Sequence, residues 1–184
     1  MVRAKPVSAS STSRAARGIQ PAEVRSLWSD DPVEIQTRPL MTLEAYLDPP
    51  HLNAPTPLGV RKAVPVRGGI FHGERLNGII EPLGGHDWAL VRADGSLVLD
   101  VRLTLRTDDN AVILMTYRGI RTGPPEVLAR IAAGERVDPS EYYFRIVPSF
   151  ETDAPAYAWL NTIVCIGLGD RVPAGPVYTI FEVL

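Results

Sequence analysis

The stretch "LVLDVRLTLRTDDNAVILMTYRG", residues 97–119, decides the fold. Its two apolar runs alternate with polar residues at a period of two, the pattern of half-buried strands. Leu97, Leu99, Val101, Leu103 and Leu105 fall on one face of the first run. Val98, Asp100, Arg102, Thr104 and Arg106 fall on the other. "TDDNA" turns the chain into the second run. Just upstream, Asp94-Gly95 separates "HDWALVRA" from "SLVLD", a strong hairpin signal. Together these predict a meander of at least three antiparallel strands.

The same period continues outward. "PLMTLEAYL" places Met41, Leu43, Ala45 and Leu47 on one face. "DPPHLNAPTPLG" is too rich in proline to be regular. "RKAVPVRGGIFHGERLNGIIEP" reads as one or two strands bent at Gly68-Gly69 and Gly73. Toward the C-terminus, "EYYFRIVPSFE", "YAWLNTIVCIG" and "VYTIFEVL" read as further strands. One helix is expected in "TGPPEVLARIAAGE". Pro124 and Pro125 stand at its start, Glu126 in its first turn, Arg130 in its last and Gly134 beyond its end. The expected fold is all-β: a single antiparallel β-barrel of about eight to nine strands with one short helix. A β-sandwich is the alternative that periodicity alone leaves open. Residues 37–184 form the barrel domain, and residues 1–36 an N-terminal tail with a short helix at "PAEVRSLW", Pro21 opening it. Residues 1–20 have four arginines or lysines and no acid, so the tail is expected to be flexible and dispensable.

Bulk composition fits this reading. The chain has 184 residues, 45% hydrophobic and 22% charged, which suits one domain with a sizeable core. A net charge of −2 gives no reason to expect a nucleic-acid partner. No apolar run reaches the ~20 residues of a membrane helix, so no membrane partner is expected. The single cysteine, Cys165, allows no intrachain disulfide and fits a reducing, cytoplasmic setting. Inside "TIVCIG" it reads as a small core hydrophobe.

Several segments carry a family resemblance. "GGIFHGERLNGIIEPLGGHDWALVRADGSLVLDVRLTLRTDD", "VDPSEYYFRIVPSFET" and "YAWLN" keep a specific order and spacing. The markers are Gly84-Gly85, Asp87-Trp88, Asp94-Gly95, Asp100, Arg102, "YYFR" ending at Arg145, Phe150-Glu151 and "WLN" ending at Asn161. From about residue 58 to the C-terminus the chain resembles the domain-of-unknown-function 3237 family of bacterial and fungal proteins. The resemblance implies a single-domain antiparallel barrel with an interior cavity. It carries no settled activity. Some members are associated with natural-product pathways and cofactor-free ring formation, which implies a cyclase or isomerase role by analogy alone.

The catalytic candidates follow from chemistry. No phosphate-cradling loop, dinucleotide fingerprint, His-Glu-x-x-His motif or Gly-x-Ser-x-Gly elbow occurs, so no nucleotide or flavin cofactor is expected. His51, His72 and His86 show no metal-ligand spacing, and no metal is expected. The first expectation is a cofactor-free isomerase, cyclase or lyase acting on a small aromatic or polyketide-like molecule. Asp87 or His86 would move a proton, and Arg102 and Arg145 would hold an anionic oxygen. Trp88, Asp100, Tyr117, Tyr143, Trp159 and Asn161 would line the substrate site. The alternatives are a non-catalytic carrier or sensor, and a filled barrel acting as an interaction domain.

Whether Arg102 points inward is the pivotal question. Alternation makes the leucine face the stronger core candidate, with Asp100 and Arg102 in solvent. Arg145, Asn161 and Asp87-Trp88 lack an obvious solvent-face alternation, and the resemblance groups them with Asp100 and Arg102. On that ground Arg102 is expected inside a wet barrel, with its leucines covered by the helix at about 124–133 or by a second subunit, which leaves room for a homodimer. Arg145 is expected to be buried against ligand or against a carboxylate such as Glu151 or Asp87.

Overall fold

The computed structural model describes residues 34–184. The expected tail and its helix at Pro21 lie outside the described residues. Among the described residues ten strands form: β1 (Thr37–Leu47), β2 (Leu52–Thr56), β3 (Gly59–His72), β4 (Asn77–Asp87), β5 (Leu90–Val91), β6 (Leu97–Thr107), β7 (Val112–Thr122), β8 (Tyr143–Glu151), β9 (Val164–Val172) and β10 (Gly175–Val183). Their order is β1-β10-β9-β8-β7-β6-β4-β3, and β1 also pairs with β3, from Thr42↔His72 to Leu47↔Val66. That last ladder closes an eight-stranded antiparallel barrel and removes its edges. Strand β2 pairs with the first half of β3, and β5 bridges β3 and β6. The proline-rich segment expected to be irregular thus carries a short strand. Pro55 sits in it opposite Val60 on a two-stranded extension, where one missing N–H is tolerated.

The hairpin at Asp94-Gly95 forms as its sequence predicts. Gly95 takes φ +81°, and its N–H donates to the Arg92 carbonyl. The Asp94 carboxylate accepts from both the amide and the hydroxyl of Ser96. The two glycine pairs act as kinks within strands. The β3–β4 register shifts between Val66 and Gly69, and the β4–β6 register shifts between Ile80 and Gly85. Helix α1 (Pro125–Ala132) starts at the expected prolines and buries Val127 and Ile131. Two 3-10 segments, Pro139–Glu141 and Pro155–Thr162, flank β8. "YAWLN" is therefore not a strand. Pro155 and the 3-10 turns carry it across the far mouth of the barrel, where Leu160 is buried.

The core is the barrel interior. Leu99, Val101, Leu103 and Leu105 of β6 point into it and are fully buried. Ile113, Met115 and Tyr117 from β7, Phe144 and Ile146 from β8, and Tyr178 and Ile180 from β10 meet them there. An eight-stranded barrel is just wide enough for side chains to fill. The leucine face of β6 is covered by the opposite wall of its own barrel, so neither helix nor second subunit is needed to cover it. The expected inward Arg102 is overturned: its side chain is 72% exposed on the outer face, 4.0 Å from the Asp100 carboxylate. Among the described residues, no helix is long and apolar enough to cross a membrane.

Candidate active site

One mouth of the barrel is left open. It is bounded by the ends of β1, β4, β5, β7 and β9, the first half of β3, the start of β6, and helix α1. A cavity of about 480 Å³ lies there. Its wall is largely apolar: Leu47, Val64, Val91, Leu97 and Leu128 line it. Asp87, Lys62, Asp48, Arg121 and Arg171 supply the polar groups. A mostly apolar wall with a few convergent polar groups is the general composition of small-molecule sites.

Alternation places the charged side chains. In β7, Ile113, Met115 and Tyr117 point inward, and two further steps of two reach Arg121 at the strand's end. In β9, Cys165, Gly167 and Gly169 point inward, and the next step reaches Arg171. Asp87 ends β4 and lies opposite Val101, itself opposite Tyr117. It is 8% exposed, and it accepts a hydrogen bond from the Asp100 amide at 3.2 Å.

Electrostatics sets Asp87 apart. Burial lifts its pKa from 3.8 to about 6. The Asp100 amide opposes that shift, the Asp100 carboxylate adds to it, and Arg121 and Arg61 oppose it. Arg121 is largely buried, and its Nε has no hydrogen-bond partner. Burial lowers its pKa, and the charge of Arg171 lowers it further. Tyr117 and Tyr178 lie in the interior with their hydroxyls 3.5 Å apart. Burial holds both protonated far above neutral pH.

Of the residues singled out in the sequence, only Asp87 lines this cavity. Tyr117 faces the same interior but lies in the packed core beside it. His86 faces outward on β4, its ring edge-on to His51 at 5.5 Å. Arg102 and Asp100 lie on the outer face of β6. Arg145 is also on an outer face. Its guanidinium stacks over the Tyr143 ring at 4.7 Å and donates to the Phe144 carbonyl. Among the described residues it pairs with neither Glu151 nor Asp87, so the expected buried ion pair is not there. Tyr143 and Trp88 are exposed at 49% and 45%. Trp159 and Asn161 belong to the opposite mouth. Trp159 lies under the Arg75 guanidinium, 3.3 Å from the ring centroid, and Asn161 exchanges two hydrogen bonds of 2.9 Å with the Thr152 backbone. Arg121, Arg171 and Lys62 were not singled out, although counting by two along β7 and β9 points to both arginines. No group of three or more metal-ligating side chains occurs among the described residues.

Comparison with known proteins places this geometry in context. The family model described as "Protein of unknown function (DUF3237)" matches residues 35–183. A UPF0311 protein of Clostridium acetobutylicum is 33% identical over 126 residues, covering 68% of this chain and 79% of that protein. The crystal structure of a conserved protein of unknown function from Rhodopseudomonas palustris superimposes with a TM-score of 0.79 at 33% identity, over 83% of this chain and 100% of that one. A beta-barrel-like protein from Acinetobacter baumannii gives 0.72 at 36% identity, over 85% and 100%.

Proposed function

The chain belongs to the DUF3237 family of proteins of unknown function, and from that premise we propose that it is an acid–base enzyme of the isomerase, cyclase or lyase type, acting on a small aromatic or polyketide-like molecule. One observation carries this reading: Asp87, a buried carboxyl with a pKa near 6, stands in the wall of a ligand-sized cavity that also holds an arginine with an unused donor. A catalytic base works best when its pKa lies near the working pH. A carboxyl in the usual range would be too weak a base, and Asp87 has been moved toward neutrality by its surroundings.

The chemistry balances without a cofactor. The Asp87 carboxylate takes a proton from a carbon next to a carbonyl, and the electron pair moves onto the carbonyl oxygen. Arg121 stabilises the charge that develops there. The protonated Asp87 then returns its proton to a different carbon, which completes an isomerisation. Alternatively the enolate expels a group from the β-carbon, completing an elimination. Run in reverse with an internal hydroxyl as nucleophile, the same step closes a ring. The apolar wall suits a flat carbon skeleton, and Lys62 and Asp48 complete the polar lining.

Solvent deuterium tests the reading. Phenolic ketones and enones are incubated with the protein in D2O, binding is followed by thermal shift, and deuterium uptake by mass spectrometry. Uptake is expected for compounds that bind, with a rate that rises with pH through about 6 as Asp87 ionises. Asp87→Asn is expected to lower it by roughly 10²–10⁴. Compounds that bind and take up no deuterium would make the barrel a carrier. No binding across the panel would make it an interaction domain.

A further inference from the structure

Resting on that reading of the cavity, the geometry points to a built anion subsite, Arg121 with Arg171, that selects ligands carrying a carboxylate on a compact apolar body. The two arginines end inward-facing registers on β7 and β9, the strands on either side of β8. Both line the cavity. Among the described residues, neither lies within salt-bridge distance of a carboxylate, while six other arginines do: Arg38, Arg75, Arg102, Arg106, Arg130 and Arg136. Those six are more exposed and can solvate themselves. Arg61, Arg67, Arg92, Arg118 and Arg145 also lack a carboxylate partner among the described residues, but of all these arginines only Arg121 and Arg171 line the cavity.

Their remaining contacts do not supply one. Arg171 donates to the Val172 carbonyl, which satisfies one N–H and no charge. The Arg121 guanidinium carbon stands 5.9 Å from the Phe144 ring centroid, at the outer limit of a cation–π contact. Its Nε is buried without a partner. Two like charges drawn out of water toward each other are costly unless an anion sits between them. The planar fork of a guanidinium matches the two oxygens of a carboxylate. Asp87 lowers the cost through its field on Arg121 but is too far away for an ion pair. The rest of the wall is aliphatic, so an inorganic anion would leave Leu47, Val64, Leu97 and Leu128 without a partner. An aromatic or branched acid fills both halves. With its carboxylate on the arginines, such a ligand lays its carbon skeleton along the wall that holds Asp87.

The test compares 1-naphthoate with its neutral isostere 1-naphthamide by isothermal titration calorimetry on the full chain. Naphthoate is expected to bind at least about tenfold more tightly, as a bidentate charged contact implies. Arg121→Gln and Arg171→Gln should each erase most of that preference, while Lys62→Gln keeps it. Asp87→Asn should keep or increase it, since it removes a negative charge from the cavity. Thermal melts identify any variant that has failed to fold, and Arg171, the more exposed of the pair, provides the second route to the answer. Equal binding of acid and amide, no binding of either, or folded arginine variants that keep the preference would overturn the subsite. The readout involves no turnover. Ligands that bind without deuterium uptake therefore leave this proposal standing, and loss of the naphthoate preference leaves the acid–base reading standing.

Discussion

At the scale of single residues, Asp87 makes the sharpest claim. Its pKa rises from 3.8 to about 6 on folding, so the folded protein holds this proton more tightly than the unfolded chain does. The stability this confers is fully present below pH 3.8 and is lost as pH rises to about 6. A shift of about two units corresponds to ~3 kcal/mol. Asparagine keeps an oxygen to accept the Asp100 amide and carries no charge. Relative to wild type, Asp87→Asn is therefore expected to gain ~2–3 kcal/mol between pH 4 and pH 7.5, measured by urea unfolding. A difference that does not change with pH would mean the carboxyl is better hydrated than its burial implies. Asp87 entered the sequence reading through the Asp87-Trp88 marker of the family resemblance, with His86 as the alternative proton carrier, and the structure sets Asp87 in the cavity wall and His86 outside it. The arginines that share the cavity with Asp87 were not legible in the sequence, because each ends its strand next to other polar residues, "YRGIRT" and "GDRV", where the alternation is easily dropped. Arg145 misled for the opposite reason. Its neighbours Tyr143 and Phe144 suggested burial on both sides, yet only Phe144 faces inward, and Tyr143 is the exposed ring on which Arg145 lies.

At the scale of elements, β8, β9 and β10 fit together by size. The inward positions of β9 are Cys165, Gly167 and Gly169, all small. They leave room for Ile146 and Phe144 on one side and for Ile180 and Tyr178 on the other. Cys165 is fully buried there, and burial pushes its thiol up to about 11, which agrees with its reading as a core hydrophobe. A Cβ on Gly169 would stand 2.5 Å from Cδ1 of Phe144 and 2.6 Å from Cγ. Those atoms lie near the base of the ring and cannot swing aside. Gly169→Ala is expected to cost ~1–3 kcal/mol by overpacking, with partial recovery in the double variant carrying Phe144→Leu. A neutral Gly169→Ala, or additive effects in the pair, would show that the ring has space to retreat. The size pattern of β9 was present in "CIGLGD", but its meaning depends on which strands flank it, and a sequence does not state pairing. Strand β6 teaches the complementary lesson. Its alternation alone placed the leucines inside and Arg102 outside, as the structure has them. The inference that turned Arg102 inward grouped residues by family resemblance, and those residues lie on different faces and at both mouths of the barrel.

At the scale of the whole molecule, closure is uneven around the barrel. The β7–β8 ladder runs from Leu114↔Glu151 to Thr122↔Tyr143, and the β9–β10 ladder from Val164↔Val183 to Val172↔Gly175. Between β8 and β9, the described residues pair only at Arg145↔Leu168 and Ile146↔Gly167. No ladder is formed beyond those positions, and the 3-10 segment Pro155–Thr162, which connects β8 to β9, is tied to the end of β8 by Asn161 and Thr152. Local opening starts where backbone hydrogen bonds are few. In an antiparallel strand alternate amides face opposite neighbours. Along Val147–Glu151 and Val164–Ile166, the amides turned toward the seam are therefore expected to exchange with solvent at least about tenfold faster than those bonded to β7 and β10, read residue by residue by NMR. Asn161→Ala should speed the seam further and leave the β3–β1 closure, at the far side of the barrel, unchanged. The cavity end behaves differently, because Arg145↔Leu168 and Ile146↔Gly167 lie on the side of β8 nearer Arg121 and Arg171. The paired part of the seam thus holds the two arginine-bearing strand ends in register, while the unpaired part lies toward the mouth that carries Trp159. Uniform protection along β8 and β9 would mean that bridging water or the 3-10 segment closes the seam as firmly as a ladder does. A seam that opens first at Arg145 would put the weak point beside the cavity and make the arginine pair mobile.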